Sequence, residues 1–113
     1  HWATIEGTGD CAVITWGSLA GPAREAIEQA GAEGIHATLI APRLLSPVQP
    51  ARFAAALEGK KRILVVEQSH GAQFYRYLRA HYDLPSGVRV LNRAGPLPIR
   101  PSEIHRAITE WRQ

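Results

Sequence analysis

Two side chains of this 113-residue sequence, Glu67 and Ser18, could take part in acid–base or nucleophilic chemistry. Glu67 closes the most apolar run, and a carboxyl group in such a setting can act as a general acid or base. It could equally accept backbone N–H groups at a neighbouring helix start or pair with Arg43. Ser18 lies in no Gly-x-Ser-x-Gly sequence, which favours a helix N-cap over a nucleophile. We therefore predict no catalytic residue in this chain.

The other residues form no recognisable metal, phosphate or dinucleotide motif. Cys11 is the sequence's one cysteine, which excludes an internal disulfide and a cysteine-based zinc or iron–sulfur site. The histidines have no metal-binding spacing. Gly17 and Gly21 form a Gly-x-x-x-Gly pattern without the Lys-Ser/Thr of a P-loop, and Gly-x-Gly-x-x-Gly is absent. We predict no bound metal and no tight binding of thiamine diphosphate or NAD by the isolated chain.

Composition indicates one folded domain. Hydrophobic residues make up 45% of the chain and charged residues 20%. No run of about 18 apolar residues is present, so we expect no membrane association. The net charge of +3 without a basic run favours a solvated surface over nucleic-acid binding. We expect a cytoplasmic protein, because the cysteine content fits a reducing compartment. Since the chain begins at His1 and contains no methionine, we expect it to be excised from a longer polypeptide.

Apolar runs typical of strands alternate with helical patterns along the sequence. This α/β alternation predicts a parallel sheet covered by helices on both faces. The predicted strands are Cys11–Trp16, His36–Ile40, Ile63–Val66 and Val88–Leu91, with Trp2–Ile5 as a fifth candidate. Helix boundaries are indicated by Pro22 and Gly31, Pro50 and Gly59, Pro85, and Pro101. The spacing of the last helix predicts that Trp111 anchors it in the core. Residues 1–9 are expected to form an edge strand and joint, and residues 10–113 the domain proper.

Nine residues at or just beyond the carboxyl ends of the strands form the candidate site. Ligands and partner surfaces of open parallel sheets lie at that edge. Trp16 could cap the core, but tryptophan is also enriched at protein interfaces. We predict that this surface, called the rim, faces another domain or subunit. The rim comprises Trp16, Gly17, Ser18, Arg43, Glu67, Gln68, Ser69, His70 and Gln73.

Segments in the same order resemble the alpha subunits of 2-oxoacid:ferredoxin oxidoreductases. The first is Val13-Ile14-Thr15-Trp16-Gly17-Ser18, which is similar to the family's Val-Thr-Trp-Gly-Ser, followed by Ala23-Arg24-Glu25-Ala26. The others are Pro42-Arg43-Leu44-Leu45-Ser46-Pro47, Val65-Val66-Glu67-Gln68 with Gln73, and Pro101-Ser102-Glu103-Ile104. Three positions differ from the family pattern, which has Asn at Ser69, Gly at Ala72 and a Ser/Thr cap at Arg100.

The resemblance implies a C-terminal domain of transketolase type from such an alpha subunit, of the 2-oxoglutarate synthase kind. Its fold is a three-layer α/β/α arrangement with a mixed five-stranded sheet of order 1-3-2-4-5, in which the first strand is antiparallel. The implied parent enzyme decarboxylates a 2-oxoacid, in particular 2-oxoglutarate, oxidatively to an acyl-CoA and reduces ferredoxin.

The resemblance also implies where the cofactors and partners of that enzyme lie. Thiamine diphosphate, Mg²⁺ and an iron–sulfur cluster are expected in other domains or subunits, with coenzyme A as a substrate. The implied partners are the other domains of the same subunit, a beta subunit and ferredoxin. The isolated chain is expected to be inactive.

Two alternatives stay open at the level of sequence. The first is the C-terminal domain of a transketolase or of a dehydrogenase E1 beta subunit, which would share the fold. The second is a stand-alone flavodoxin-like module that binds a small ligand. A receiver domain is disfavoured, because Trp16 and Glu67 stand where such a domain has acidic residues and an aspartate.

Overall fold

The computed structural model describes residues 2–43 and 48–110. The strands in this part of the chain are β1 (Ala3–Gly7), β2 (Cys11–Thr15), β3 (Ala37–Pro42), β4 (Arg62–Glu67) and β5 (Arg89–Asn92). The helices are α1 (Ala20–Ala32), α2 (Pro50–Leu57), α3 (Gln73–His81) and α4 (Pro101–Thr109), and a 3₁₀ turn over Gly17–Leu19 leads into α1. All five predicted strands are confirmed, and no strand end is shifted by more than two residues.

The five strands form one mixed sheet with the order β1-β3-β2-β4-β5. β1 pairs antiparallel with β3, whereas the β2–β3, β2–β4 and β4–β5 pairs are parallel. The predicted order and the antiparallel first strand are therefore confirmed. The central strand β2 is buried at all five positions, as expected for a strand covered on both faces.

Helices cover both faces of the sheet and divide the core in two. One cluster of buried side chains joins the sheet to α1 and α4, through residues such as Ala26 and Ile104. The other joins it to α2 and α3, through residues such as Phe53 and Leu78. Side chains alternate between the faces along each strand, so neighbouring residues of β2 and β4 enter different clusters. This is the expected three-layer α/β/α arrangement.

Two predictions about the helices concern the end of α1 and the position of Trp111. Gly31 was expected to end α1, but the helix continues to Ala32 and Glu33 caps it. The turn that follows contains Gly34 at φ +86°, a left-handed conformation that glycine adopts without a Cβ clash. The predicted core anchor Trp111 lies outside the described residues. Across those residues, no helix is long and apolar enough to cross a bilayer.

Candidate functional site

A groove with a volume of about 590 Å³ opens at the carboxyl ends of the adjacent strands β2 and β4. The chain leaves β2 toward α1 on one face of the sheet and leaves β4 toward α3 on the other. Such a reversal is a topological switch point, where open α/β sheets form their ligand crevices. We call the groove at this position the switch-point groove. Its lining residues are Trp16, Gly17, Ser18, Glu67, Gln68, Ser69, Gln73, Phe74 and Tyr77.

Seven of the nine rim residues line this groove, and the structure places Arg43 and His70 elsewhere. Arg43 follows β3, on the side of β2 away from β4. Its Nε donates a 3.2 Å hydrogen bond to Oγ1 of Thr4, and its backbone N–H donates to the carbonyl of Trp2 at 2.7 Å. His70 is exposed and is not part of the groove lining. The suggested pairing of Glu67 with Arg43 is therefore wrong.

The buried carboxylate of Glu67 caps the N-terminus of α3. Its side chain is 1% exposed. The backbone N–H of Phe74 donates to Oε1 at 2.9 Å and that of Tyr75 donates to Oε2 at 2.7 Å. The hydroxyl of Ser69 donates a third hydrogen bond to Oε1. The sequence alternative in which Glu67 accepts N–H groups of a neighbouring helix is thus the one that the geometry supports.

The N-cap residue of α3 cannot provide this cap itself, although Oγ of Ser69 accepts the backbone N–H of Gln73 at 3.4 Å. The N-cap residue of α3 is Ala72, whose side chain cannot accept a hydrogen bond. Ala72 has φ +53° and ψ +50°, in the left-handed region that favours glycine. The glycine that the resembled family often has here would suit that backbone. Glu67 therefore supplies acceptors and negative charge to the first turn of α3.

The carboxamide of Gln68 holds the loop between β5 and α4. Its Nε2 donates to the carbonyl of Leu97 at 2.8 Å, and the backbone N–H of Ile99 donates to its Oε1 at 2.9 Å. The nitrogen and the oxygen of the Gln68 carboxamide thus bind the two residues that flank Pro98. Leu97 itself is 68% exposed. Gln68 therefore has a structural role at the groove wall.

An ion pair fixes the same loop to the start of α4. The Arg93 guanidinium donates to Oε1 of Glu103 at 3.0 Å and also to Oε2 of that residue. Glu103 in turn accepts the backbone N–H of Arg100 at 3.1 Å. The hydrogen bond from Arg93, and then that backbone N–H, hold the pKa of Glu103 below its ordinary value of 4.5. Glu103 therefore satisfies the backbone N–H of the N-cap residue Arg100, although Arg100 lacks the Ser/Thr side chain of the family pattern.

Ser18 is not a helix cap, contrary to the interpretation favoured from the sequence. α1 begins at Ala20 with Leu19 as its N-cap residue, and no side chain caps it. Ser18 instead lies inside the 3₁₀ turn and is exposed at the groove. The turn starts at Gly17 with φ +72°, and α1 begins at Ala20, one residue later than an N-cap at Ser18 would place it.

Trp16 is half-buried, and its indole stacks on Phe74, with ring centroids 5.6 Å apart and planes at 18°. Phe74 belongs to the core cluster beneath α2 and α3. Tyr77, one turn beyond Gln73 on α3, also lines the groove. Sequence reasoning missed Tyr77, although its i,i+4 spacing from Gln73 was a usable signal.

The groove has little charge to offer a ligand. Among the residues that the structure describes, its lining contains no Lys or Arg, and its one carboxylate, Glu67, accepts three hydrogen bonds. Within residues 2–43 and 48–110, no group of three His, Cys, Asp or Glu side chains could hold a metal ion. The described residues therefore do not fit a magnesium-bound diphosphate such as that of thiamine diphosphate.

Comparison with known proteins identifies one family and several relatives. The sequence profile of the transketolase C-terminal domain matches residues 1–90. The alpha subunit of 2-oxoacid:ferredoxin oxidoreductase 2 from Aeropyrum pernix is 36% identical over 70 residues, which cover 62% of this chain and 11% of that protein.

Solved structures extend the similarity to the whole domain. The 2-oxoglutarate:ferredoxin oxidoreductase of Magnetococcus marinus, solved with 2-oxoglutarate, coenzyme A and succinyl-CoA, matches with a TM-score of 0.88 at 30% identity. That match covers 98% of this chain but 20% of the other. The alpha chain of a probable 2-oxoacid ferredoxin oxidoreductase from Thermoplasma acidophilum shares the fold, with a TM-score of 0.53 at 24% identity over 96% of this chain and 95% of that chain. The first two relatives are therefore much longer than this chain.

Proposed function

The chain belongs to the transketolase C-terminal domain family, and we propose that it is the structural and assembly domain of a 2-oxoacid:ferredoxin oxidoreductase alpha subunit. The observation that carries the proposal is the agreement with the Magnetococcus marinus enzyme over 98% of this chain. Because the chain spans only 20% of that protein, the reaction of the whole enzyme is part of the proposal.

The hydrogen bonding of the site supports an architectural role. A general base needs a lone pair directed at the substrate, but the oxygens of Glu67 accept hydrogen bonds from Ser69, Phe74 and Tyr75. A serine nucleophile needs an adjacent base, and the one carboxylate that lines the groove with Ser18 is committed in this way. The domain therefore positions surfaces, and the chemistry takes place in other parts of the enzyme.

The proposed parent enzyme oxidatively decarboxylates a 2-oxoacid, 2-oxoglutarate in particular, and transfers the acyl group to coenzyme A. Thiamine diphosphate with Mg²⁺, together with an iron–sulfur cluster, would supply the chemistry from other domains or from a beta subunit. Ferredoxin would accept the electrons, and the complex would operate in the cytoplasm. The isolated domain would be inactive.

The direct experiment uses the complete polypeptide that carries this domain, purified with its partner subunit. We expect coenzyme A-dependent oxidation of 2-oxoglutarate, with pyruvate as the competing substrate and methyl viologen as the electron acceptor. The isolated 113-residue chain should show no turnover under the same conditions. Absence of 2-oxoacid oxidation from the reconstituted complex would reject the proposed enzyme class.

One observation favours the alternative of a small-ligand-binding module, namely the position of the groove at the topological switch point. The described part of its lining has no basic residue, which argues against phosphorylated ligands. Calorimetric titration of the isolated chain with thiamine diphosphate and with NAD separates the two functions. We expect no heat of binding, and micromolar affinity for either compound would favour the binding module.

A further inference from the structure

In the part of the chain that the structure describes, the aromatic stack at the switch-point groove consists of two rings and is partly exposed. The indole of Trp16 rests on Phe74 and also lines the groove. Beside it stands Gly17, where an added Cβ would meet no atom within 4 Å. The groove wall at Gly17 therefore carries no side chain, and the space that a Cβ would occupy there is open among the described residues. Aromatic rings gain additional stabilisation from an offset-stacked or edge-to-face neighbour.

Besides the aromatic rings and the carboxylate of Glu67, the described lining of the groove contains neutral polar side chains. Ser18 and Gln73 are both exposed at the groove and carry side chains that donate and accept hydrogen bonds. Glu67 offers a ligand little, because it is 1% exposed and its carboxylate already accepts three hydrogen bonds. A ligand that fits this lining has a flat apolar body and a hydrogen-bonding edge, and carries no net charge.

We infer that the groove is a socket for one aromatic side chain with a polar edge, a tyrosine or tryptophan from another segment of the parent enzyme. This inference rests on the proposed function and names the partner chemistry of its assembly surface. Tyrosine and tryptophan combine a large ring with a single hydrogen-bonding group, which is why they dominate buried interface contacts. A groove of about 590 Å³ holds such a side chain together with its backbone.

The charge of the described groove lining favours a protein side chain over a nucleotide as the occupant. A nucleobase would also stack on the indole, but cellular nucleotides carry phosphate groups that need cations or a ring of backbone donors. The lining residues within 2–43 and 48–110 include no Lys or Arg for them. A neutral aromatic side chain therefore fits better than a nucleotide.

The test titrates the isolated ¹⁵N-labelled chain with N-acetyl-tyrosinamide, N-acetyl-leucinamide and adenosine monophosphate, followed by amide chemical shifts. We expect saturable shifts at Gly17, Ser18 and the Trp16 indole N–H, with a Kd on the order of millimolar for the tyrosine compound. The leucine compound should bind roughly 2- to 10-fold more weakly, because it lacks the ring contact. Equal binding of the two amides, or the absence of saturable shifts, would overturn the inference, as would tighter binding of the nucleotide.

A matched pair of variants links the shifts to the groove. Ser18→Arg places a long side chain in the groove mouth, whereas Ser102→Arg adds the same side chain at an exposed position of α4. Both should melt within about 2 °C of the parent chain, since both positions are exposed. Ser18→Arg should weaken the tyrosine compound at least about 10-fold and Ser102→Arg should not. Equal effects of the two variants would place the binding outside the groove and overturn the inference.

The inference and the proposed function fail separately. If the aromatic amides do not bind but Ser18→Arg still prevents assembly of the parent enzyme, the partner uses other chemistry and only this inference is lost. If Ser18→Arg also leaves assembly unchanged, the groove is not an assembly surface and this inference is overturned, whereas the proposed enzyme class stands or falls with 2-oxoacid oxidation by the reconstituted complex.

Discussion

Replacing the buried carboxylate of Glu67 by an amide should destabilise the domain strongly. In Glu67→Gln the side chain keeps one acceptor oxygen, so one of the N–H groups of Phe74 and Tyr75 faces an amide NH₂. An unsatisfied buried donor costs about 1–3 kcal/mol, and losing the negative charge at a helix N-terminus costs about 0.3–1 kcal/mol more. We expect a loss of about 2–4 kcal/mol, which is a large fraction of the roughly 5–15 kcal/mol of a typical domain.

Urea unfolding followed by circular dichroism measures this loss directly, and the melting temperature should fall by roughly 10–20 °C. Glu25→Gln is the control, because Glu25 is exposed on α1 and should change stability by no more than about 0.5 kcal/mol. Catalytic carboxylates are often held at a cost to stability, so their replacement tends to stabilise a protein. A Glu67→Gln variant as stable as the parent, or more stable, would refute the capping role.

Three further outcomes test other details of the structure. Thr15→Val should raise stability by about 1 kcal/mol, because Oγ1 of Thr15 is buried with no hydrogen-bond partner in the part of the chain that the structure describes. Thr38→Val should lower it by a similar amount, since Oγ1 of Thr38 accepts a 2.8 Å bond from a lysine ammonium; parallel urea titrations compare the two. Ala72→Gly should raise the melting temperature, because the left-handed conformation of Ala72 costs about 1 kcal/mol and glycine adopts it without a Cβ clash. The pKa of Glu103 is lowered by Arg93, so its contribution is present above about pH 4.5 and is lost as the pH falls through the folded-state pKa. The stability difference between Glu103→Gln and the parent chain should therefore vanish in acid, and a difference that persists at pH 2 would contradict this assignment.

Much of the fold follows from local patterns. The near-continuous apolar runs of β2 and β4 predict buried strands, and prolines at the first turns of α2 and α4 mark their starts correctly. The end of α1 was misplaced, because a glycine inside a helix resembles a stop signal. The actual stop depends on the positive φ of Gly34, and the sequence does not indicate that Gly34 rather than Gly31 adopts this conformation.

The site was less predictable, because its contacts join distant segments. The position of Glu67 at a strand end indicated a role at the rim, and one alternative named helix N–H groups as its partners. The bonds from Gln68 to residues 97 and 99 depend on a loop that only the tertiary structure brings near. The role of Ser18 was missed, because the 3₁₀ turn after Gly17 has no clear sequence signal.

The central claim is that the groove surface supports assembly and takes no part in chemistry. The most direct test substitutes Trp16→Ala and Glu67→Gln separately in the complete enzyme and measures both complex formation and kcat per assembled complex. We predict weaker assembly or lower thermal stability, with kcat per complex essentially unchanged. If Glu67→Gln leaves assembly intact while kcat falls by about 10²-fold or more, the loss expected for a general acid or base, the groove is catalytic and the claim is contradicted.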